Sequence, residues 1–448
     1  MTLASDTRDT QAPAKGAGAG VPAATRRAAH GRAPGLAASP TTQAQRRWGV
    51  RVLLLTAFCF GLGQTVIFAV LPPIARDAGL SEFQVTMIFG ASAVFWVLMS
   101  PRWGRRSDRT GRKPVVLTGL AAFVVAMLGL AGAISVVLGG AMGATAAFVL
   151  MAAVRCLHGA VASAGPAASQ AYIADRSSPG DRTAALAGFA AAFGIGTSLG
   201  PAMGALGGLV GPVGPLVLVA GAGLLSLVLI WRFVPEATKP SARARPVPLK
   251  ITDQRLRRVL SYGLLSGIVT AMQLQFIGFY LIDTLGLDGA PPFVLTVLGR
   301  AFAFEASAIV VGAGLTLGAL ASLFAQVVLV RGFKPSPRRM MRTAPVLVAI
   351  GFVLIAAGPN FAVIALGLAA SGTGLGLSYP AFNAAASLSV GTEDQGGAAG
   401  LATAAGASGF ILAPVIGSAL YGIGPDWPFL VGIGICAAMA VISWSKHA

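Results

Sequence analysis

The chain has 448 residues, of which 55% are hydrophobic and only 11% are charged. Soluble globular domains carry roughly a quarter charged residues, so this composition, with a mean hydropathy of +0.76, excludes an ordinary soluble protein. The formal charge of +18 is typical of a nucleic-acid binder, but the basic residues follow the loops between long apolar segments. A nucleic-acid partner is therefore not expected.

The first 51 residues are rich in Ala, Gly, Pro and Arg and show no apolar periodicity. A segment of this kind cannot bury enough apolar surface to fold. We expect a disordered, basic, cytoplasmic tail over residues 1–51.

Apolar stretches of about 20 residues, each long enough to cross the hydrocarbon core of a bilayer, fill the rest of the chain. We predict an all-α integral membrane fold with twelve transmembrane helices in two six-helix bundles, over residues 52–234 and 259–448, joined by a cytoplasmic linker over 235–258. The predicted spans are Val52 to Leu71, Val85 to Met99, Val115 to Leu138, Ala144 to Tyr172, Thr183 to Gly208, Val213 to Phe233, Val259 to Leu281, Ser307 to Val330, Thr343 to Ala357, Val363 to Leu388, Ala398 to Leu420 and Trp427 to Trp444.

The distribution of Lys and Arg predicts the orientation of these spans. Short cytoplasmic loops carry an excess of basic residues. With both termini in the cytoplasm, thirty of the 33 basic residues lie on that side, Arg76 and Arg300 lie outside, and Arg155 lies within a span. We therefore expect a multi-pass protein of the inner membrane with cytoplasmic termini.

The two halves share an internal repeat. Pro166 and Pro380 are 214 residues apart, and Pro201 with Gly204 recurs as Pro414 with Gly417 at an offset of 213. A parallel repeat of two bundles is typical of transporters that expose a midplane site alternately to the two sides of the membrane.

A dense charge cluster separates spans 2 and 3 and reads G-x-x-x-D-R-x-G-R-K. We expect its glycines to form a tight turn. The preference of basic residues for cytoplasmic loops explains its arginines and lysine, but it does not explain its aspartate. The pattern resembles motif A of the major facilitator superfamily. The resemblance implies that Asp108 holds a cytoplasmic gate closed by pairing with nearby arginines and with the positive amino end of a helix in the other bundle. The gating residues by this resemblance are Gly104, Asp108, Arg109, Gly111, Arg112 and Lys113.

Two further motifs resemble the same superfamily. Arg155 and Gly159 in span 4 are similar to its motif B, with His158 where a Gln is common. The sequence GIGTSLGPAMGALGG in span 5 is similar to motif C of its proton-driven exporters, with Ala205 replacing a second Gly; small residues four apart also pack helices closely. The resemblance runs from Val52 to the end and indicates the twelve-span drug:proton antiporter branch. The motif C residues, expected to pack the bundles, are Gly196, Gly200, Pro201 and Gly204.

Arg155 is the most informative single residue, because an ionisable side chain near the bilayer midplane is functional by default. We expect it to bind substrate or take part in proton transfer. His158 lies one turn later on the same face. It is either a neutral, hydrogen-bonded imidazole or a proton-exchanging group.

The span centres contain no Asp or Glu. The possible proton carriers are therefore Asp283 and Glu305, near the outer ends of spans 7 and 8, or His158; otherwise transport is uncoupled. Gln64, Gln273 and Asn383 are candidates for the substrate path, although amides at this depth also join helices. An interior with one Arg, amides and small apolar residues suits a moderately apolar solute with a carboxylate or other acceptor.

These observations predict a secondary active transporter that exports a small organic compound or drug as a proton antiporter, an activity associated with multidrug resistance. The alternative is an uptake permease or an uncoupled facilitator for a small organic acid or sugar. Three His residues and no acid pair or nucleophile with a base do not suit an enzyme. We expect no cofactor or metal, a monomer, and as partners the substrate, protons and the lipid bilayer.

Overall fold

The computed structural model describes residues 43–177, 182–205, 211–236, 249, 251–297, 300–391 and 394–445. The predicted tail lies outside these ranges up to residue 42. The predicted linker lies outside them over residues 237–248 and at residue 250.

Eleven described helical segments are long and apolar enough to cross a membrane, and a helix of 24 residues lies at the place of the predicted fifth span. The first half contains α1 (Gln43–Asp77), α2 (Glu82–Thr110), α3 (Arg112–Leu138), α4 (Ala144–Leu157), a π-helical turn (His158–Ala162), α5 (Ala164–Arg176), α6 (Arg182–Ala205) and α7 (Gly214–Phe233). The second half contains α8 (Gln254–Thr284), α9 (Ala306–Phe324), a second π-helical turn (Ala325–Val330), α10 (Arg331–Phe333), α11 (Pro337–Ala356), α12 (Phe361–Leu388), α13 (Gln395–Tyr421) and α14 (Trp427–Trp444). The predicted helical membrane fold is confirmed.

Several helices run past their predicted ends. Helix α1 begins at Gln43, inside the segment predicted as a tail, and α2 continues to Thr110 rather than Met99. The prediction followed the apolar stretch, whereas helical hydrogen bonding continues through polar residues until a turn interrupts it. Gly111, with φ of 104°, provides that interruption after α2.

A short β-hairpin connects α8 and α9. Strands β1 (Phe293–Val297) and β2 (Arg300–Phe304) pair antiparallel, with Phe293 opposite Phe304 and Val297 opposite Arg300. The sequence did not predict it. The hairpin lies in the connection between two spans and leaves the helical order unchanged.

The helices pack in the same pairs in both halves. Helix α1 packs on α6 as α8 packs on α13, and α3 packs on α7 as α11 packs on α14. Between the halves, α6 contacts α9 and α2 contacts α13. The Pro201–Pro414 offset of the sequence repeat relates α6 to α13, which occupy corresponding places in these pairs.

The helical body has two sides, named here by the helix ends that lie there. The terminal side is the one at which α1 begins and α14 ends, and the distal side is the opposite one, at which α1 ends and α2 begins. Large aromatic side chains fill the interior between them, and several are fully buried, including Phe60, Phe123, Phe276, Tyr262 and Tyr280.

Candidate functional site

Arg155 and His158 lie together inside the first half. Arg155 is 5% exposed and His158 is fully buried, and Arg155 Nη1 lies 3.1 Å from His158 Nδ1. The regular helix α4 ends at Leu157, and His158 begins the π-helical turn. Single π-helical turns within helices occur frequently at functional sites.

The hydrogen bond between these two residues fixes their protonation. A guanidinium only donates hydrogen bonds, so His158 Nδ1 accepts and the imidazole carries its proton on Nε2. Two buried donors then remain, Arg155 Nε and His158 Nε2, and neither has a hydrogen-bond partner among the described residues. The pair therefore offers unused donors beside a positive charge.

Aromatic rings surround the pair. The guanidinium carbon of Arg155 lies 5.9 Å from the ring centre of Phe89, a cation–π contact that offsets part of the cost of burying the charge. The His158 ring centre lies 5.7 Å from Trp96 and 6.0 Å from Phe123. The surroundings are thus apolar and weakly stabilising for a cation.

Gln64 lies on the α1 face that contacts these rings. Phe60, Gln64 and Phe68 follow one another at four-residue spacing, which places them on one side of the helix. The ring of Phe60 is 4.9 Å from Phe123, and that of Phe68 is 4.5 Å from Phe89. Gln64 Oε1 is buried and has no partner among the residues that the structure describes, so this predicted path residue adds another unused polar atom.

Gln273 and Asn383 lie in the second half and are bonded or packed there. Gln273 is 4% exposed, and its Oε1 has no partner within the described chain. Asn383 Nδ2 donates to Tyr379 O at 2.9 Å, and its Oδ1 accepts from Thr403 at 3.4 Å. Asn383 therefore connects α12 to α13.

No carboxylate balances the charge of Arg155 in the described part of the chain, where its side chain forms no ion pair. None of the fifteen acidic residues of the sequence lies more than two residues inside the end of a described helix. The positive charge in the interior is therefore unpaired.

A second group of charges closes the distal side, and we call it the distal cluster: Arg76, Glu82, Asp283 and Tyr421. Arg76 Nη2 lies 2.7 Å from both carboxylate oxygens of Asp283 and 2.6 Å from Glu82 Oε1. Tyr421 donates its hydroxyl proton to Asp283 Oδ2 at 2.5 Å. Because α1 and α2 belong to the first half and α8 and α13 to the second, the cluster joins the halves.

Apolar contacts support the distal cluster. A Cβ on Gly278 would lie 2.7 Å from Pro72, and one on Gly90 would lie 2.8 Å from Pro414. The Tyr421 ring stacks on Phe276 with centres 5.7 Å apart. The distal side is thus closed by proline rings packed against glycines as well as by charge.

The two predicted proton carriers differ in position. Asp283 belongs to the distal cluster. Glu305 precedes α9 and accepts a hydrogen bond from Ser307 at 2.8 Å; partial desolvation of its carboxyl, with a smaller effect of Asp77, raises its pKa above the ordinary value. The sequence did not identify Arg76, Glu82 and Tyr421 as site residues. One feature of the sequence could have pointed to the cluster: Arg76 is one of only two basic residues that the topology places on the outer side of the membrane.

Motif A lies on the terminal side and differs from its prediction. Gly104 lies within α2 and forms no turn, and a Cβ there would meet nothing within 4 Å, so the turn prediction is wrong for Gly104; only Gly111 has the positive φ that a turn needs. Asp108 pairs with Arg112 at 2.5 Å and is 56% exposed. Its described contacts are local, and the expected pairing with a helix of the other half is not among them.

The remaining motif A residues anchor α3 and border a cavity. Glu236 Oε1 accepts from the backbone N–H groups of Arg112 at 2.9 Å and Lys113 at 3.2 Å, and Lys113 Nζ donates to Trp231 O at 2.8 Å. Arg109 borders an open cavity of 680 Å³ at the terminal end of α2. The cavity is lined by Met99, Arg102, Trp103, Arg105, Arg106, Arg109 and Thr110.

Motif C packs helices within the first half. A Cβ added to Gly196 would lie 2.2 Å from Phe58 O. One on Gly200 would lie 2.1 Å from Thr65 Oγ1, and one on Gly204 would lie 2.5 Å from Ala69 Cβ. All three glycines therefore face α1, and Pro201 lies buried in the same helix. A different residue of α6, Ser198, reaches the second half through Ala319 O at 3.3 Å.

Twelve predicted spans in two halves, a buried polar pair in the interior and a cluster that closes one side define a multi-pass membrane protein of the transporter class. The chain belongs to the Major Facilitator Superfamily, whose sequence profile matches residues 53–335 and 290–446. This confirms the resemblance drawn from the motifs. The family consists of transporters rather than enzymes.

The relatives include drug-resistance proteins. The chain is 28% identical to the tetracycline resistance protein, class C, of Escherichia coli over 83% of this chain and 89% of that protein. It is 26% identical to multidrug resistance protein 1 of Bacillus subtilis over 87% and 95% of the two chains. Its fold is similar to that of the human organic anion transporter MFSD10, with a TM-score of 0.62 and 19% identity over 89% and 99% of the chains.

Proposed function

We propose that this protein exports a small organic compound across the inner membrane by alternating access, in exchange for protons. The observation that carries the proposal is the distal cluster. It joins the halves on the distal side, and the buried Arg155–His158 pair lies in the interior, on the terminal side of the cluster. Thirty of the 33 basic residues lie on the terminal side by the predicted topology, so that side faces the cytoplasm. The structure then corresponds to the state closed to the outside.

The opposite state requires the distal cluster to separate. Arg76 and Tyr421 would both leave Asp283, and the terminal ends of α2 and α13 would approach. Asp108 would then meet the positive amino end of α13, as motif A implies. A ligand or proton shifts such a two-state equilibrium only by interacting differently with the two states, and both charge clusters change partners between them.

We assign proton exchange to His158 rather than to Asp283 or Glu305. A carrier must face each side of the membrane in turn. Asp283 and Glu305 lie at the distal ends of their helices, where they serve the outer side alone. His158 lies in the interior beside Arg155, where each side of the membrane can reach it in turn, and its Nδ1 can take a proton in a state in which Arg155 Nη1 has turned away from it.

An uncoupled facilitator or uptake permease is the second candidate. It is favoured by one observation: no acidic residue lies in the interior of a described helix. In that case His158 stays neutral throughout, and the solute alone follows its gradient.

The test is transport by purified protein in lipid vesicles that contain a pH-sensitive dye. Tetracycline and an aromatic carboxylate are supplied as probes under an imposed pH gradient, with wild type, His158→Gln and Arg155→Ala compared. We expect proton movement opposite to substrate movement in wild type and its loss in His158→Gln. Substrate flux without proton movement at any pH would establish the facilitator instead, and flux of neither probe would refute export.

A further inference from the structure

We propose that the interior site takes an organic anion: a compound with one carboxylate, or a similar oxyanion, on an apolar body. Arg155 and His158 would hold the anionic group, and the rings around them would hold the apolar part. This inference rests on the proposed transport function, because it names the class of substrate that this path accepts.

The balance of charge supports an anion over a cation. Arginine keeps its proton in proteins, and a buried charge is costly unless it is paired. The described residues supply Arg155 with a neutral imidazole and the face of Phe89, and they supply no carboxylate. A cationic solute would add a second positive charge, and a neutral one would leave the first unpaired. Only an anion removes the unfavourable charge.

The unused donors support the same conclusion. Arg155 Nε and His158 Nε2 both need acceptors. An ionised carboxylate only accepts hydrogen bonds and has two oxygens to do so. Hydrogen bonds between a guanidinium and a carboxylate are roughly twice as strong as those between neutral groups. A carboxylate bound to Arg155 would thus supply an acceptor for an unused donor and balance the charge together.

The surroundings set the rest of the ligand. Phe89, Trp96 and Phe123 contact the pair, so the body attached to the carboxylate meets apolar rings. Gln64 lies on the neighbouring face of α1. Its amide can rotate to present N–H groups in place of the oxygen, which supplies one more donor to an anion.

The route to the site is from the terminal side. The distal cluster and the close approach of Pro72 to Gly278 block the distal side. Arg155 and His158 are almost fully covered in this state, so ligand entry displaces side chains around them. The π-helical turn that begins at His158 interrupts the regular helical hydrogen bonding there, so the side chains that must move lie at a weaker part of the helix.

The experiment compares three probes of one shape: 2-naphthoate, 2-naphthamide and 2-naphthylmethylammonium. Their binding to the purified full-length protein in lipid nanodiscs is measured by calorimetry. We expect wild type to bind the carboxylate at least about tenfold more tightly than the amide or the ammonium compound. Arg155→Gln should lose this preference, whereas Arg155→Lys, which keeps the charge, should retain part of it.

Arg102→Gln is the matched control. It also removes one arginine charge, but Arg102 is exposed and donates to Leu98 O at 2.7 Å at the terminal end of α2. We expect it to keep the full preference for the carboxylate. If Arg155→Gln does not fold, the three probes on wild type alone decide the substrate class.

The outcomes separate this inference from the function on which it rests. Equal or tighter binding of the ammonium compound would refute the anion site, while proton-coupled tetracycline export in vesicles would leave the proposed function intact. An unchanged carboxylate preference in Arg155→Gln would refute the assignment to Arg155. Absence of flux for every probe in vesicles would refute the transport function, whatever the binding results.

Discussion

The distal cluster and motif A both contain acids and bases at helix ends, yet they have opposite relations to the two halves. Arg76 and Asp283, each 27% exposed, pair across the halves. Asp108, 56% exposed, pairs with Arg112 four residues away in the same half. The difference means that a charged motif at a helix end does not by itself join the halves, because the position of its partner decides whether the pair crosses between them.

The energetics follow the same division. Asp108 is 56% exposed and pairs with a residue four positions away, an arrangement that contributes about 0.3–0.5 kcal/mol; Arg112 itself is 8% exposed and also pairs with Asp175. A partly buried arginine that holds two carboxylates, one of which also accepts from Tyr421, contributes more, on the order of 1–2 kcal/mol after solvent screening. The Asp108–Arg112 pair lies within one half and does not change when the halves separate, so in the proposed two-state equilibrium the distal cluster supplies the bias.

The largest effect is expected when α1, which carries Arg76, loses its packing against α6. Gly200→Ala should lower the stability of the protein by about 1–3 kcal/mol, because the new methyl group would lie 2.1 Å from Thr65 Oγ1 and 2.8 Å from Leu62 O. Gly194→Ala, in the same helix with nothing within 4 Å, should be neutral or slightly stabilising. Thermal unfolding in detergent measures both; equal losses would contradict the packing described for motif C.

Removal of Arg76 should open the distal side. In Arg76→Gln, Asp283 and Glu82 face each other without their shared cation, and we expect the distal-closed state to lose about 1–2 kcal/mol, a factor of about 5–30 in population. The distance between spin labels at Phe83 and Ile423, which are exposed on the distal side, reports the opening. The exchanged pair Arg76→Asp with Asp283→Arg should restore part of the short distance, and a failure to restore any would show that the charges do not form the lock.

The glycines of motif A give a sharper test on the terminal side. Gly111→Ala should cost about 1–2 kcal/mol, because Gly111 has φ of 104° and a Cβ would lie 3.0 Å from the Glu236 carboxyl. Gly104→Ala should cost nothing, since it adds a methyl group to an uncrowded helical position. The thermal unfolding midpoints of the two variants test this difference. A larger loss of stability in Gly104→Ala than in Gly111→Ala would contradict the helix that runs to Thr110.

The smallest effect on stability is expected from Asp108→Asn. The Asp108 side chain is 56% exposed, and Arg112 keeps its ion pair with Asp175 when Asp108 is neutralised, so the free energy of unfolding should change by less than about 0.5 kcal/mol. The transport rate should nevertheless fall, because the distal-open state loses the acid that closes the terminal side. Asp108→Glu, which keeps the charge, should transport faster than Asp108→Asn. Identical rates in wild type and Asp108→Asn would show that this acid closes no gate.

Much of the fold was predictable, because the lengths of the apolar stretches, the basic loops between them and the internal repeat can all be read from the sequence. The closeness of Arg155 and His158 was also predictable, since residues three apart share one helix face. The distal cluster was not, because Arg76 and Asp283 are 207 residues apart and their pairing depends on how the halves meet. The turn predicted at Gly104 was wrong because the sequence around a glycine in a basic segment does not distinguish a loop from a helix.

The proposed function requires the halves to alternate between a distal-closed and a distal-open state. Spin labels at Phe83 and Ile423, which are exposed on the distal side, and at Thr110 and Leu388, exposed on the terminal side, measure both separations in nanodiscs after Cys59, Cys156 and Cys436 are replaced. We expect Arg76→Gln to lengthen the distal distance and shorten the terminal one in the same population. Distances that stay unchanged, or that lengthen together, would contradict alternating access for this protein.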